Sequence, residues 1–539
     1  MNNSIFSKTS LVTSITSLKP SLLLLITLSC TSLTYAEVEL DNRDNDEIMD
    51  DSSLKSYSTL QSLKNLEKKQ TYQTPFVQDL KNNLKVRTLF VATQDLPIVD
   101  IQLTFNAGSS QDEAIGKGLF GISNMASKLM TEGTEKYTAK QIASTFEGLG
   151  AQFNVNAYRD MYTVRLRVLS DPEKLNPAVN MMIHILNNAQ FNPSGLILVL
   201  NNTKVGQKQV QENPSRLMNI LFYRSLYGQH PYAEPTTGTN GSLKKITPEL
   251  LRTFRQKLLV AQNMNIAITG NLTTAEATQI ANTISQNISQ GEAAVPLPEP
   301  KEQQDFNIQH IPFNSTQAHV MMGHLAIQRD DPDRVALEVA NQIFGGGGFN
   351  SVLMKELRVK RGYTYGAYSS LVSTLSQGFF SLNYSTEQNK LIDSIQVAHK
   401  ALADFVNNPI EKKQLEETKD GLLRSFPMTF SSNANINAQI AAIGFYQQPA
   451  DFLSQYQKQL STITAKQVHA AIQKHIRADR LTVIVVSPTL DQIALKKMLI
   501  DDLKSPIEKT KLGHNLDSKI NSMPDIPSLI IKKTIRPAS

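Results

Sequence analysis

Three polar side chains on one predicted helix have the spacing of a metal centre but not its chemistry. The run at residues 121–134 contains Asn124, Ser127 and Lys128, which match the positions of a helical H-x-x-E-H motif. In that motif two histidines bind zinc from one helix face, and the glutamate deprotonates a zinc-bound water. An amide is a poor zinc ligand, a serine hydroxyl is too weak a base to activate water, and a lysine ammonium repels the cation. The helix therefore predicts a degenerate metal centre that cannot catalyse hydrolysis by itself.

The histidines elsewhere in the chain do not replace the missing ligands. None of the nine lies in an H-x-x-E-H, H-E-x-x-H or C-x-x-C setting. His319 and His324 occupy one predicted strand, and their spacing points them to opposite faces of a sheet. His469 and His475 lie on one predicted helix at a spacing that also separates their side chains. The sequence predicts no metal site and no cofactor in this chain.

A glycine-rich segment in the second half of the chain carries a different kind of chemistry. Four glycines at 345–348 lead into a segment that contains Arg358 and Tyr365. A phosphate-binding loop would need Gly-Lys-Ser/Thr after the glycines and a strand before them, but a predicted helix at 332–343 precedes them. A guanidinium donates a pair of hydrogen bonds to carbonyl or carboxylate oxygens, and a phenol donates to a developing oxyanion. Two interpretations remain open: Arg358 and Tyr365 bind a substrate, or Arg358 pairs along its helix while Tyr365 packs in a sheet.

The elements around the degenerate helix follow a characteristic order. An apolar strand at 99–105 ends in a small-residue turn, and the helix at 121–134 is followed by a helix at 138–149 and a strand at 150–155. This order resembles the N-terminal half of the pitrilysin/insulinase-type metallopeptidases. The hexapeptide YGQHPY at 227–232 resembles the segment that follows the third zinc ligand of that family, a glutamate. The resemblance places this ligand near Gly206, where the sequence has Val205, Gly206, Gln207 and Lys208, and the nearest carboxylate is Glu212.

The glycine-rich segment resembles the C-terminal signature of the same family, GGGxSxLxxxLRxxxGLxY. The resemblance implies that Arg358 and Tyr365 bind the substrate backbone and stabilise the tetrahedral intermediate formed at the zinc of another domain. With the degenerate centre, it implies a non-catalytic subunit that contributes this pair to a homologous H-x-x-E-H subunit, which holds the zinc for peptide hydrolysis. Two alternatives stay open: a stand-alone peptide- or protein-binding scaffold of the same fold, and an active zinc protease with unrecognised ligands.

A duplication indicates the fold class. Residues 246–270 and 463–487 align without a gap at an offset of 217, and each segment predicts a threonine-capped amphipathic helix followed by a strand. A period this long is typical of a duplicated domain. We therefore predict an α+β fold with two homologous domains, each an antiparallel-rich sheet covered by helices. The family resemblance implies that the domains form a clamshell, in which a peptide adds as a strand to an exposed sheet edge at 152–156 or 368–374.

Composition and the N-terminus restrict the partners and the location. The net charge of +6 is spread along the chain without a run of five basic residues, and there is no tryptophan, so nucleic-acid binding is not predicted. An apolar run at 22–28 is too short to cross a membrane, and small residues up to Ala36 predict signal-peptide cleavage there. Lipidation at Cys30 is disfavoured because Leu28 stands where a small residue is usual. We expect a periplasmic protein without a membrane span.

The predicted organisation has six parts. They are a signal peptide at 1–36, a flexible acidic leader at 37–72, a metallopeptidase-like domain with the degenerate centre at 73–290, a linker at 291–305, a second such domain with the Arg358/Tyr365 pair at 306–501, and a loose tail at 502–539.

Overall fold

The structure, a computed structural model, describes residues 73–504 with the exception of residues 83 and 85. The predicted signal peptide, the acidic leader and most of the tail lie outside the described residues. All described residues belong to one compact unit. We refer to residues 73–290 as the first half and to residues 306–504 as the second half.

The first half contains six strands and eight helices among its described residues. The strands are β1 (Gln78–Leu80), β2 (Thr88–Ala92), β3 (Ile98–Phe105), β4 (Gln152–Ala157), β5 (Tyr162–Leu169) and β6 (Met264–Gly270). The helices are α1 (Ile122–Leu129), α2 (Ala139–Gly148), α3 (Pro172–Asn188), α4 (Pro193–Gln211), α5 (Pro214–Tyr227), α6 (Asn240–Leu243), α7 (Pro248–Leu258) and α8 (Thr274–Asn287).

The second half repeats this organisation with different loops. Its strands are β7 (Asn307–Pro312), β8 (Gln317–Leu325), β9 (Ala367–Val372), β10 (Phe379–Glu387) and β11 (Thr482–Ser487). Its helices are α9 (Arg334–Asn341), α10 (Leu391–Asn407), α11 (Lys412–Ser425), α12 (Asn433–Phe445), α13 (Phe452–Thr462), α14 (Ala465–His475) and α15 (Gln492–Lys504). Helix α15 continues past the predicted domain end at residue 501.

Apart from β1, which the second sheet lacks, the two sheets have the same strand order, which confirms the predicted duplication and fold class. The first sheet has the strand order β1-β2-β6-β3-β5-β4, and the second has the order β7-β11-β8-β10-β9. In each sheet the strand of the repeated segment, β6 or β11, pairs parallel to one neighbour and antiparallel to the other. Thr247 caps α7 and Thr464 caps α14 through their side chains, as the repeat predicted.

Each sheet is covered on one face by helices of its own half and on the other by a helix of the opposite half. Helix α5 of the first half packs on β8 and β11, and helix α12 of the second half packs on β2, β3 and β6. The residues at these two contacts form separate apolar clusters. Asn437 of α12 donates hydrogen bonds to the carbonyl oxygens of Asp100 (2.9 Å) and Ala267 (3.1 Å) in the first sheet. The halves are therefore joined by an exchange of helices.

Both strands predicted to lie at sheet edges do so, since β4 and β9 each end the order of their sheet. His319 and His324 point to opposite faces of β8, as predicted: His319 contacts Ser385 on the neighbouring strand, and His324 accepts from the backbone N–H of Arg477. Among the described residues, no helix combines the length and the apolar composition needed to cross a membrane.

The helix predicted at 121–134 is shorter than expected, because it ends at Leu129. Gly133 adopts a φ of 132°, and the backbone N–H of Thr134 donates to Tyr137 O (2.8 Å) in a turn. The predicted helix at 332–343 also differs. The α-helix α9 stops at Asn341 and continues as a π-helical turn at Gln342–Gly346, and a second π-helical segment follows at Met354–Val359. Such turns widen the helix locally and occur often at functional sites.

Candidate functional site

The degenerate helix α1 is held at its N-terminus by buried contacts. Gly121 has a φ of 92°, and a Cβ at this position would lie 2.8 Å from the Gly238 backbone, so only glycine fits. The buried carboxyl group of Asp112 accepts hydrogen bonds from the backbone N–H groups of Gly121 (2.6 Å) and Ser123 (3.1 Å). It thereby satisfies donors that the helix start leaves unpaired. Burial raises the pKa of Asp112 to about 7.

The three positions that match the zinc motif make contacts that do not suit a metal. The Ser127 hydroxyl donates to the carbonyl oxygen of Asn124 one turn earlier (2.9 Å). The Lys128 ammonium lies 3.4 Å from the hydroxyl of Thr203 on α4, and partial burial lowers the pKa of Lys128. The side-chain oxygen of Asn124 is buried and has no hydrogen-bond partner within residues 73–504. This group therefore consists of an amide, a hydroxyl and an ammonium, and it does not fit a zinc ion.

Helix α4, where the third ligand was expected, runs antiparallel to α1. Near the end of α1, the side chain of Leu129 would lie 3.3 Å from a Cβ built on Gly195, which is close to the start of α4. Near the start of α1, Gln207 donates from its side chain to Gly238 O (3.0 Å), beside Gly121. The start of α4 therefore lies near the end of α1, and the last turns of α4 lie near the start of α1.

Thr203 contacts Lys128 of α1, and Gln207 contacts Gly238 beside the start of α1; neither residue carries a carboxylate. Val205 is 60% exposed, and a Cβ on Gly206 would meet open space, so these two positions lie away from α1. The side-chain oxygen of Gln207 is buried without a hydrogen-bond partner in the described part of the chain. Sequence reasoning identified the neighbourhood but missed Thr203, although the four-residue spacing to Gln207 places both on one helix face.

One group within residues 73–504 has the composition of a cation site, but it lies elsewhere and a lysine ammonium is already paired with one of its carboxylates. Asp331, Asp333 and His475 have ligand atoms within 4.8 Å of one another. His475 Nε2 is 2.9 Å from a carboxylate oxygen of Asp333. The Lys474 ammonium is 2.7 Å from the same oxygen, and its hydrogen bond lowers the pKa of Asp333. This group is an ion-pair network between α14 and the start of α9.

The second half presents Arg358 and Tyr365 in the segment that follows the glycines, Arg358 in a helical turn and Tyr365 on the loop after it. Arg358 lies in the π-helical segment Met354–Val359, and its Nη1 donates to the backbone oxygen of Tyr365 (2.6 Å). The guanidinium also lies over the ring of Phe349, 4.5 Å from the centroid, a favourable cation–π arrangement. Arg358 thus fixes the backbone of the loop that carries Tyr365.

The side chain of Tyr365 projects into solvent and is 83% exposed. Tyr365 does not pack in a sheet, and Arg358 pairs with a loop carbonyl rather than along its helix. The structure therefore departs from the purely structural interpretation at Tyr365, whereas Arg358 does have an intramolecular partner. The phenol is free to donate to a group outside the chain, since its hydroxyl makes no hydrogen bond within residues 73–504.

A groove lies beside Tyr365, between the start of α5 and the second sheet. We call it the Tyr365 groove and define it by its lining residues, which are Ser215, Met218, Asn219, Gln317, Thr364, Tyr365, Gly366, Tyr368, Asn383, Tyr384 and Ser385. Its volume is about 470 Å³, within the range of ligand-binding pockets. Because α5 belongs to the first half, both halves of the chain form this site.

The YGQHPY hexapeptide joins the two halves. The hydroxyl of Tyr227 donates to Gln377 O (3.0 Å), and His230 Nε2 lies 2.9 Å from Pro298 O. The Tyr232 hydroxyl donates to the carboxyl group of Asp160, which also accepts from the backbone N–H of Leu375. Burial raises the pKa of Asp160. Sequence reasoning used the hexapeptide only as a landmark, and the structure shows that it links the first half to the β9–β10 turn.

Comparisons with known proteins agree on one family. The family described as "Insulinase (Peptidase family M16)" matches residues 87–240, and "Peptidase M16 inactive domain" matches residues 245–422. A Helicobacter pylori protein named "Non-peptidase homolog YmxG" is 24% identical over 75% of this chain and 93% of its own length. A Rickettsia felis protein named "Uncharacterized zinc protease" is 26% identical over 70% of this chain and 90% of its own length.

Solved structures show the same similarity. A peptidase M16 inactive domain from Pseudomonas fluorescens is 35% identical, with a TM-score of 0.73, over 77% of this chain and 99% of that chain. The periplasmic protease PqqL from Escherichia coli superposes with a TM-score of 0.66 at 13% identity, over 77% of this chain and 46% of that chain. At that identity the second comparison bears on the fold alone.

Proposed function

This chain belongs to the insulinase family of peptidases, family M16, and on that basis we propose that it is a non-catalytic subunit that contributes Arg358 and Tyr365 to the active site of a homologous zinc-bearing subunit. The observation that carries this proposal is the contrast between the two halves. The first half has an amide, a hydroxyl and an ammonium at the zinc-motif positions, whereas the second half presents a phenol that is 83% exposed.

The first half supports the absence of independent catalysis. A catalytic zinc normally has three protein ligands and an open position for water. Here Lys128 brings a positive charge to the second ligand position, and Thr203 and Gln207 of α4 supply no carboxylate opposite it. The Ser127 hydroxyl is engaged with the Asn124 carbonyl oxygen, so no general base stands at the glutamate position.

The second half supports a role in substrate binding. Arg358 holds the Tyr365 carbonyl, which fixes the backbone of the loop from which the phenol projects. A positioned phenol donates to an oxyanion that develops on a peptide carbonyl, and such donors contribute most where they are fixed in advance. Arg358 acts here as a positioning residue for Tyr365, in addition to offering its remaining N–H groups to substrate.

The partner and the location complete the proposal. The partner is an M16 subunit with an intact H-x-x-E-H helix, and zinc belongs to that subunit. The predicted signal peptide supports a periplasmic location. The naming of a relative as a non-peptidase homologue is in keeping with a chain that does not hydrolyse peptides alone.

A second candidate function is a peptide- or protein-binding scaffold without any catalytic partner. It is favoured by the two edge strands, β4 and β9, which can each accept an added strand. A scaffold does not need an oxyanion donor. Under this second function, removal of the Tyr365 hydroxyl is therefore expected to leave peptidase turnover unchanged.

Activity of mixed subunits separates these two functions. The mature chain is purified, together with an H-x-x-E-H protein of family M16 from the same organism, and peptidase activity is measured for each alone and for the mixture. We expect activity in the mixture that exceeds the sum of the separate activities, and co-elution of the two chains. Activity that does not depend on this chain, with no co-elution, would remove the subunit role.

A further inference from the structure

The contact between α5 and the second sheet changes from apolar to polar along its length. Near the end of α5, Phe222 packs against Phe379 of β10, with ring centroids 5.4 Å apart. A Cβ on Gly323 of β8 would lie 2.8 Å from the Phe222 ring, so helix and sheet are in close contact here. These side chains belong to a buried apolar cluster that closes this end of the contact.

The same face of the sheet is polar nearer to the start of α5. Alternate residues of a strand share one face, so Asn383 and Ser385 follow Phe379 on this face of β10, and Gln317 and His319 lie on the corresponding face of β8. The Ser385 hydroxyl and His319 Nδ1 are 2.8 Å apart and satisfy each other. The replacement of large apolar side chains by small polar ones leaves the Tyr365 groove open.

Several hydrogen-bonding groups that line the groove are unused. Within residues 73–504, the side-chain amides of Gln317 and Asn383 and the hydroxyls of Tyr365 and Tyr368 make no hydrogen bond. Each amide offers both a donor and an acceptor. The lining contains no Lys, Arg, Asp or Glu side chain. The groove therefore presents uncharged donors and acceptors together, beside the phenol assigned above to the substrate backbone.

This lining discriminates between classes of ligand side chain. A charged side chain would lose water without gaining a counter-ion, which costs free energy. An apolar side chain would cover the two amides and leave them unpaired. A primary carboxamide presents one acceptor and two donors, and it pairs reciprocally with another amide.

We propose that the Tyr365 groove binds the carboxamide side chain of a glutamine or asparagine in a peptide whose backbone passes Tyr365. Gln317 and Asn383 determine this specificity, and α5 forms the opposite wall through Ser215 and Asn219. The inference deepens the proposed function, because it rests on a peptide as the ligand of this loop. It adds the class of side chain that the site selects.

Direct binding to the mature chain tests the groove without a partner subunit. The probes are fluorescent alanine peptides that carry a single central Gln, Leu, Glu or Lys, and fluorescence anisotropy reports their affinities. We expect the Gln peptide to bind about tenfold more tightly than the other three, the scale of one hydrogen-bonded pair. Equal affinity for all four peptides, or binding of none, would overturn the inference.

Two substitutions test whether Gln317 and Asn383 cause the preference for the Gln peptide. Gln317→Leu and Asn383→Leu each preserve side-chain size while removing the amide, and each is expected to reduce the Gln preference, with both together abolishing it. Gln309→Leu is the matched control, since this substitution makes the same chemical change at an exposed position on edge strand β7. A preference that survives in the double variant, or that is lost in the control, would contradict the assignment.

This test is separate from the test of the proposed function. A Gln preference that disappears in the double variant supports the groove even if no zinc-bearing partner is found. Failure of the mixed subunits to show activity would remove the shared active site and leave the measured peptide preference intact.

Discussion

Lys128 illustrates how the degenerate centre differs from one that has merely lost its metal. Its ammonium lies opposite Thr203 of α4. It occupies the place where, in an intact motif, ligands from α1 and α4 would meet at the zinc. Partial burial lowers the pKa of Lys128, which records the cost of holding a charge there. The position is therefore occupied by a group that opposes a cation, and restoring the motif requires more than the histidines.

The structure identifies the substitution that a restored site also needs. The triple variant Asn124→His, Ser127→Glu and Lys128→His is expected to bind zinc only weakly, because it supplies two ligands where three are normal. Adding Gln207→Glu, which keeps the side-chain length on the face of α4 that meets α1, should tighten binding. Zinc affinity by competition with a chromogenic chelator measures both variants.

A matched substitution controls for added negative charge. Val205→Glu places the same carboxylate on α4 at a position that is 60% exposed and directed away from α1, so it should not tighten zinc binding in the triple variant. Tight binding by the triple variant alone, or equal gains from Gln207→Glu and Val205→Glu, would show that the arrangement of α1 and α4 is different from the one described.

Asp112 connects the degenerate helix to the pH dependence of stability. Its pKa is raised by burial to about 7, above the ordinary value of 3.8, so between these values the folded chain holds a proton that the unfolded chain has released. The stability that the Asp112 carboxyl group contributes is fully present below its ordinary pKa. It is lost as the pH rises toward 7, and the free energy of unfolding falls by at most about 1.4 kcal/mol per pH unit.

Unfolding by urea at a series of pH values tests this coupling. Asp112→Asn cannot titrate, so the free energy of unfolding of the wild type relative to this variant should decrease as the pH rises from about 4 to about 7. An unchanged difference across this range would mean that the carboxyl group titrates at its ordinary value and that its hydrogen bonds to Gly121 and Ser123 outweigh its burial.

At the scale of elements, the exchange of α5 and α12 determines how the halves are joined. Helix α12 is apolar on more than one side, with Ile436, Ile440 and Ile443 buried against the first sheet. Its interface also contains Asn437, whose amide donates to two backbone oxygens of that sheet. A polar group that is satisfied only in one arrangement favours that arrangement over others.

The contribution of Asn437 can be measured with a control on the same helix. Asn437→Ala leaves two buried carbonyl oxygens without this donor and should lower the free energy of unfolding by about 1–3 kcal/mol. Asn435→Ala changes the same residue type at an exposed position, where the loss should be within about 0.5 kcal/mol. Equal effects of the two substitutions, measured by urea unfolding, would show that the α12 interface does not depend on this amide.

Local patterns predicted several elements but not the partners of α5 and α12. The strands at 99–105 and 150–155 and the helix at 138–149 follow from periodicity and caps, and the 217-residue offset predicted two equivalent sheets. Periodicity shows which face of a helix is apolar, but it does not show which sheet that face covers. The composition of α12, which is apolar on several sides, is a signal of burial that the prediction did not use.

At the scale of the whole molecule, the two halves share a fold and have diverged in chemistry. The first sheet supports a helix whose metal positions are altered, and the second supports a loop whose tyrosine is presented to solvent. The sequence allowed the prediction of Asn124, Ser127, Lys128, Arg358 and Tyr365 as the informative positions, because the family resemblance rests on linear motifs. It did not predict the Tyr365 groove, because residues distant in sequence on α5, β8 and β10 form it only in three dimensions.

The central claim is that the chain supplies Arg358 and Tyr365 to an active site whose zinc lies on another subunit. Its most direct test is the turnover of the mixed subunits with Tyr365→Phe or Arg358→Ala in this chain. Each should lower turnover by roughly 10²–10³-fold, the scale for losing one oxyanion donor, while the two chains still co-elute. The controls Tyr137→Phe and Arg361→Ala make the same chemical changes outside this pair and should leave turnover unchanged. Unchanged turnover in both Tyr365→Phe and Arg358→Ala, with complex formation intact, would contradict the claim.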